Sequence, residues 1–116
     1  MHLPTAVAAL SALAQDSRLA VFRLLVRAGA AGLPAGNLAR EIGARPNTLS
    51  SHLTVLDHAG LIRSRRQGRS IIYTADYDGM RELLGFLVED CCAGRPEICG
   101  SLAAMAQEVA CCPFEA

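Results

Sequence analysis

Two adjacent pairs of cysteines and a single one gather near the C-terminal end of this 116-residue chain: Cys91-Cys92, Cys99 and Cys111-Cys112. Thiols grouped this closely can bind a soft metal or metalloid, or close into disulfides. No secretory leader pattern and no membrane-length apolar stretch accompanies them, which predicts a cytoplasmic protein with reduced thiols and no membrane partner. A second concentration is cationic: Arg63, Arg65, Arg66 and Arg69 flank Gln67-Gly68. Guanidinium groups on a short turn can neutralise phosphates or enter a minor groove. A third group is small and polar. Arg45, Asn47, Thr48, Ser50, Ser51 and His52 carry the donors and acceptors that read base edges, Asn pairing with adenine, Arg with guanine, and Ser or Thr with bases or phosphates.

The overall charge of zero conceals a division. Residues 1–75 hold nine Arg against Asp16, Glu41 and Asp57, a balance of +6, whereas residues 76–116 hold two Arg against eight acids, a balance of −6. One domain over 1–116 is therefore expected, with a basic DNA-binding part at 1–75 and acidic C-terminal helices at 76–116 that carry the cysteines.

The elements that must position these groups are mostly helical. Thr5 is placed to cap a first helix carrying Val7, Leu10 and Leu13, and Asp16 to cap a second with Leu19, Phe22 and Val26 at helical spacing. Pro34 suits the first turn of a third helix with Leu38 and Ile42 inward, closed by Gly43. A fourth runs from about Asn47 to Ala59 on a buried stripe of Leu49, Leu53 and Leu56, and Gly60 terminates it. Residues 61–74 read as a β-hairpin with a basic tip. A fifth helix over about 77–92 aligns Met80, Leu84, Leu87 and Cys91, and after Gly94-Arg95-Pro96 a last helix carries Leu102, Met105 and Val109. These late helices are apolar enough to form a subunit interface; the alternative is that they close the monomer's own core.

Two short helices joined by a tight connection and followed by a basic hairpin make a winged helix-turn-helix, mainly α with a small β-hairpin. Arginines on a hairpin are often only a solvated face, as polar residues on a helix are often only its wet side. The conjunction of all these parts carries the reading.

The stretch Thr48-Leu49-Ser50-Ser51-His52-Leu53-Thr54-Val55-Leu56-Asp57-His58-Ala59-Gly60-Leu61-Ile62, continuing to Arg65-Arg66-Gln67-Gly68-Arg69 and Tyr73, resembles the recognition helix and wing of the ArsR/SmtB family. The resemblance covers roughly residues 5–92. It implies a metal-responsive repressor that binds operator double-stranded DNA as a homodimer, with the first and last helices at the dimer interface. Many arsenic and cadmium sensors of the family carry a cysteine pair in the third helix, but Leu38-Ala39-Arg40-Glu41-Ile42 holds no sulfur. Zinc and nickel sensors place His and carboxylate pairs on a late helix, whereas the only histidines here are His2, His52 and His58. The cysteine-bearing tail remains, similar to members that sense arsenite through C-terminal cysteines.

Trivalent arsenic, and antimony by the same chemistry, prefers sulfur and takes three ligands in a pyramid, whereas zinc takes four. Cys91, Cys92 and Cys99 are the expected As(III) ligands, with Cys111 and Cys112 as secondary candidates that supply a second dithiol or reach the other subunit. Adjacent helical residues point about 100° apart, so binding through Cys91 and Cys92 together must distort that helix end. Exchanging three hydroxyls for three thiols leaves a neutral adduct, so release from DNA must come from geometry rather than charge. A redox-sensing repressor is the competing reading, although Glu89 and Asp90 beside Cys91 disfavour its thiolate. A thiol enzyme or metal carrier fits less well: the chain has no CxxC motif and no anion-cradling loop before a cysteine, and it is expected not to be an enzyme.

Overall fold

The computed structural model describes residues 1–88. All five cysteines, the Gly94-Arg95-Pro96 break and the expected last helix lie outside the described residues. Within them the chain runs α1 (Leu3–Leu13), α2 (Asp16–Ala28), a 3-10 turn (Gly29–Ala31), β1 (Leu33–Pro34), α3 (Ala35–Ile42), α4 (Pro46–His58), β2 (Ile62–Gln67), β3 (Ser70–Ala75) and α5 (Tyr77–Val88). The expected winged helix-turn-helix is the observed architecture. The sheet is antiparallel in the order β1-β3-β2. β1 has no sequence signature, because two residues are too few to show an alternation; Leu33 and Pro34 pair with Tyr73 and Ile72 at the sheet's edge, where proline's missing N–H does no harm.

The core is a layer of leucines. Leu25, Leu38, Leu49, Leu56 and Leu61 are all but sealed from solvent, and Val21 and Ile62 complete the set. α4 contributes the stripe expected of it, with Leu49, Leu53 and Leu56 buried at spacings of four and three.

α1 buries its small side chains and turns large ones outward. Its buried face is Ala6, Ala9 and Ala12, while Leu3, Val7 and Leu10 are 65%, 55% and 43% exposed. Alanines let α1 lie close against α2 and α4, leaving the bulky side chains outward. The caps differ from those expected. His2 is the N-cap of α1 with Pro4 in its first turn, and Thr5 Oγ1 meets His2 Nδ1 at 3.0 Å rather than capping. Gln15 caps α2 by accepting from the Arg18 backbone N–H at 2.9 Å, with Asp16 one step inside, where its charge still favours the helix dipole. Pro34 is the N-cap of α3 rather than part of its first turn. In α5 the buried residues are Tyr77 and Leu83; Met80 and Leu84 are half-buried and Leu87 is exposed.

The junction between α4 and β2 fixes where the wing begins. The Leu61 N–H bonds back to the Leu56 carbonyl at 3.1 Å across Gly60, whose φ of +76° is the left-handed value that ends a helix sharply. Asp76 then returns the chain to the same spot, its N–H donating to the Leu61 carbonyl at 2.8 Å. α5 starts so close that a Cβ on Gly79 would sit 2.0 Å from the Gly60 carbonyl oxygen. Tyr77, pushed above its ordinary pKa by burial, donates its hydroxyl to the Val26 carbonyl at 2.9 Å and locks α5 to the end of α2.

Because the obstacle at Gly79 is backbone, Gly79→Ala should destabilise the fold by about 2 kcal/mol through forced displacement of α5. Gly85→Ala, in the same helix with nothing within 4 Å of the added carbon, should be neutral or stabilising by up to about 1 kcal/mol. Paired chemical denaturation of the two variants checks the contrast, and equal behaviour would contradict the close approach.

Candidate nucleic-acid interface

α4 is held by its buried leucines, so its opposite face must look outward. Arg45, Asn47, Thr48, Ser50 and Ser51 are all exposed along its N-terminal half, and His52 is half-buried at the edge. Ser51 Oγ donates to the Asn47 carbonyl at 3.3 Å and Thr54 Oγ1 to the Ser50 carbonyl at 3.0 Å, back-bonds that keep both hydroxyls against the helix. Among the described residues no hydrogen bond engages the side chains of Arg45, Asn47, Thr48 or Ser50. Pro46 opens the helix, and Arg45 is its N-cap without a side-chain cap bond. Polar groups are thus presented at a helix N-terminus, where the dipole favours a phosphate.

The hairpin divides its arginines by strand alternation. Residues two apart in β2 share a face, so Arg63 and Arg65 lie on one side and Ser64 and Arg66 on the other. Arg63 Nε donates to Asp76 Oδ2 at 3.0 Å, and its guanidinium lies 3.7 Å from Asp78. The hydrogen bond to Asp76, and then its charge, hold Arg63 above its ordinary pKa. Arg65 donates through both terminal nitrogens to the carbonyls of Ala30 and Ala31, at 3.1 and 3.0 Å. Both side chains remain accessible, yet their donors are directed at the protein. Arg66, paired across the sheet with Ile71, and Arg69, beside the left-handed Gly68 of a two-residue loop, have no hydrogen-bond or ion-pair partner among the described residues.

The face shared by Ser64 and Arg66 opens onto α4. A groove of about 290 Å³ separates helix and wing, lined by Ser50, Leu53, Thr54, Asp57, Ser64 and Tyr73. Ser50 alone of these was singled out as a candidate from sequence. Thr54 and Asp57 follow it at spacings of four and seven and could have been found by continuing the helical count, and Ser64 by alternation from Arg66.

The arrangement can hold a phosphate backbone against the wing tip and the start of α4 while offering short polar groups to base edges between them. Among the described residues no three His, Cys, Asp or Glu side chains are gathered to hold a metal, and no helix is long and apolar enough to cross a membrane. The cysteines expected as ligands, Cys91, Cys92, Cys99, Cys111 and Cys112, fall outside the described residues.

Comparison with known proteins agrees with this frame. A family profile described as a helix-turn-helix domain matches residues 13–65. The nodulation protein NolR of Rhizobium meliloti is 35% identical over 78 residues, which are 67% of this chain and 62% of NolR, so the chain spans less than two thirds of that relative's length. Among solved structures, an ArsR-like transcriptional regulator from Rhodococcus sp. RHA1 superimposes with a TM-score of 0.66 at 26% identity, over 90% of this chain and 92% of its own. A possible transcriptional regulator for arsenical resistance is 31% identical with a TM-score of 0.60, over 67% of this chain and 78% of its own. Likeness in sequence and in fold, each extending over most of those structures, places the chain in the ArsR family of winged-helix transcriptional regulators.

Proposed function

We propose that this protein is an arsenic(III)-responsive repressor that binds operator DNA as a homodimer and dissociates when the metalloid is taken up by its C-terminal thiols. The single observation that carries the DNA reading is the pairing of an exposed polar N-terminal face on α4 with two unengaged arginines, Arg66 and Arg69, at the wing tip. Dimer formation is supported by the outward stripe of Leu3, Val7 and Leu10 on α1, apolar side chains that are exposed among the described residues. The arsenic reading draws on Cys91, Cys92 and Cys99, on the preference of As(III) for three sulfurs, and on a similar structure described as a possible transcriptional regulator for arsenical resistance. Antimony(III) fits the same thiols.

A dimer reads half-sites about 34–36 Å apart, so a modest change in the spacing of two α4 helices weakens both half-site interactions together. A hundredfold loss of affinity needs only about 2.7 kcal/mol of coupling, well within what allosteric sites deliver. No refolding is required.

A labelled duplex, selected by the protein itself from a randomised pool, provides the probe. Its affinity should fall steeply with salt. Arg66→Ala or Arg69→Ala should flatten that dependence by about 0.9 in slope for each phosphate the wing no longer neutralises, whereas Arg65→Ala should leave the slope unchanged because its donors are turned to Ala30 and Ala31. A slope unaffected by either tip substitution would move the wing off the DNA. Val7→Asp should shift sedimentation from dimer to monomer and abolish tight binding; an unchanged dimer would relocate the interface. Arsenite should release the duplex from the wild type, and Cys91→Ser, Cys92→Ser and Cys99→Ser should each remain bound. Release by peroxide but not by arsenite would instead favour the redox-sensing repressor.

A further inference from the structure

Asp76 stands at a crossing of three elements. Its Oδ1 accepts the Gly79 N–H at 3.0 Å and so caps α5; its Oδ2 accepts Arg63 Nε at 3.0 Å from β2; its own N–H donates to the Leu61 carbonyl at 2.8 Å, at the end of α4. The carboxylate is largely sheltered, its side chain 16% exposed, while the Arg63 side chain is 65% exposed. One residue therefore ties the start of α5 both to the strand that carries the wing tip and to the exit of the recognition helix. The geometry points to Asp76 as a positioning residue for DNA binding. Through Arg63 it sets the angle at which β2 leaves the core, and so where Arg66 and Arg69 meet the duplex.

The lever is short but effective. Arg63 lies next to the root of β2 and Gln67 at its tip, four residues on, about 13 Å at the usual rise of a strand. A tilt of roughly 10° at the root displaces the tip by about 2 Å, enough to replace direct phosphate contacts with water-bridged ones. Arg65 pins the same face of the strand to Ala30 and Ala31, leaving the Asp76 clamp as the ionic anchor nearest the root. Arg63, chemically the same as its neighbours, thus serves the wing by holding it rather than by touching DNA.

The inference rests on the DNA-binding reading above, which the wild-type protein tests by binding the selected duplex at all. Asp76→Asn keeps a side-chain oxygen to cap α5 but removes the nearer of the two carboxylate charges beside Arg63, leaving only Asp78 at 3.7 Å, and thermal melting confirms that the variant is folded at the assay temperature. Its affinity should fall by about fivefold, whereas in an Arg66→Ala/Arg69→Ala background the same change should cost less than about twofold, because no tip arginine remains to be positioned. Arg63→Ala should weaken binding to a similar degree without altering the salt slope. Two results would overturn the assignment. Tighter binding by Asp76→Asn with a steeper salt dependence would mean that the carboxylate merely competes with phosphate for Arg63; equal losses in both backgrounds would mean a general structural effect. A wild type that binds no duplex would instead remove the reading beneath it.

Discussion

The tightest backbone approach at a glycine among the described residues brings two glycines together. Gly60 ends α4 in a left-handed conformation, and Gly79 brings the first turn of α5 onto its carbonyl, leaving no room for a side chain. Around that point the backbone is stitched by Leu61 to Leu56 and by Asp76 to Leu61. The direction in which α4 points, the place where β2 starts and the line along which α5 departs are therefore settled within a few residues of one another. A helix that reads DNA must hold a fixed angle to the body that carries it, and this junction supplies the stiffness that the short α4 cannot provide for itself.

The same economy divides the arginines. A hairpin strand presents alternate residues to opposite sides, so four guanidinium groups close together in sequence cannot all serve one surface. Arg63 and Arg65 fall on the side facing the 3-10 turn and the start of α5, where Asp76 and two backbone carbonyls take their donors. Arg66 falls on the groove side and Arg69 at the loop. Charge in the wing is thereby split between holding it and extending it. The ion pair of Arg63 adds little stability, since its guanidinium is open to salt and water, but its geometry fixes where the side chain lies.

Much of this could be read from the sequence because helical spacing and turn chemistry are local properties. Leu49, Leu53 and Leu56 declared the buried side of α4, and Gly43, Gly60 and Gly68 marked the ends and the hairpin loop by needing positive φ. The caps expected of Thr5, Asp16 and Pro34 missed only by local shifts of one to three residues, whereas what could not be read at all depends on partners distant in sequence. Ala6, Ala9 and Ala12 became the inner face of α1 because α2 and α4 needed close approach, a demand invisible in the helix itself, where Val7 and Leu10 are the more hydrophobic choice. The clamps on Arg63 and Arg65 join residues 13 and 34 or 35 positions apart, so composition showed only that the hairpin was basic. Asp76 looked like one more acid of the C-terminal part, and its role emerges only where β2, α4 and α5 converge.

That convergence also bears on how the proposed thiol site would act on DNA binding. If the adduct formed at the cysteines is neutral, its effect must travel as a displacement, and α5 is the element through which the cysteine-bearing segment joins the winged core. Along α5 the hold on the core is uneven. Tyr77 is bonded to Val26 and Asp76 to Leu61, and Leu83 and Phe86 pack on the core without hydrogen bonds to it, whereas Leu87 is exposed. A helix gripped at its start transmits rotation about that point, and the elements at the pivot are the end of α4 and the root of β2. A small reorientation of α5 would therefore reach α4 and β2, the two elements proposed to meet DNA, at once. In a dimer, which must satisfy two half-sites together, changes of that kind in each subunit would compound, so the proposed release asks only for a coupling of the size that allosteric sites commonly deliver.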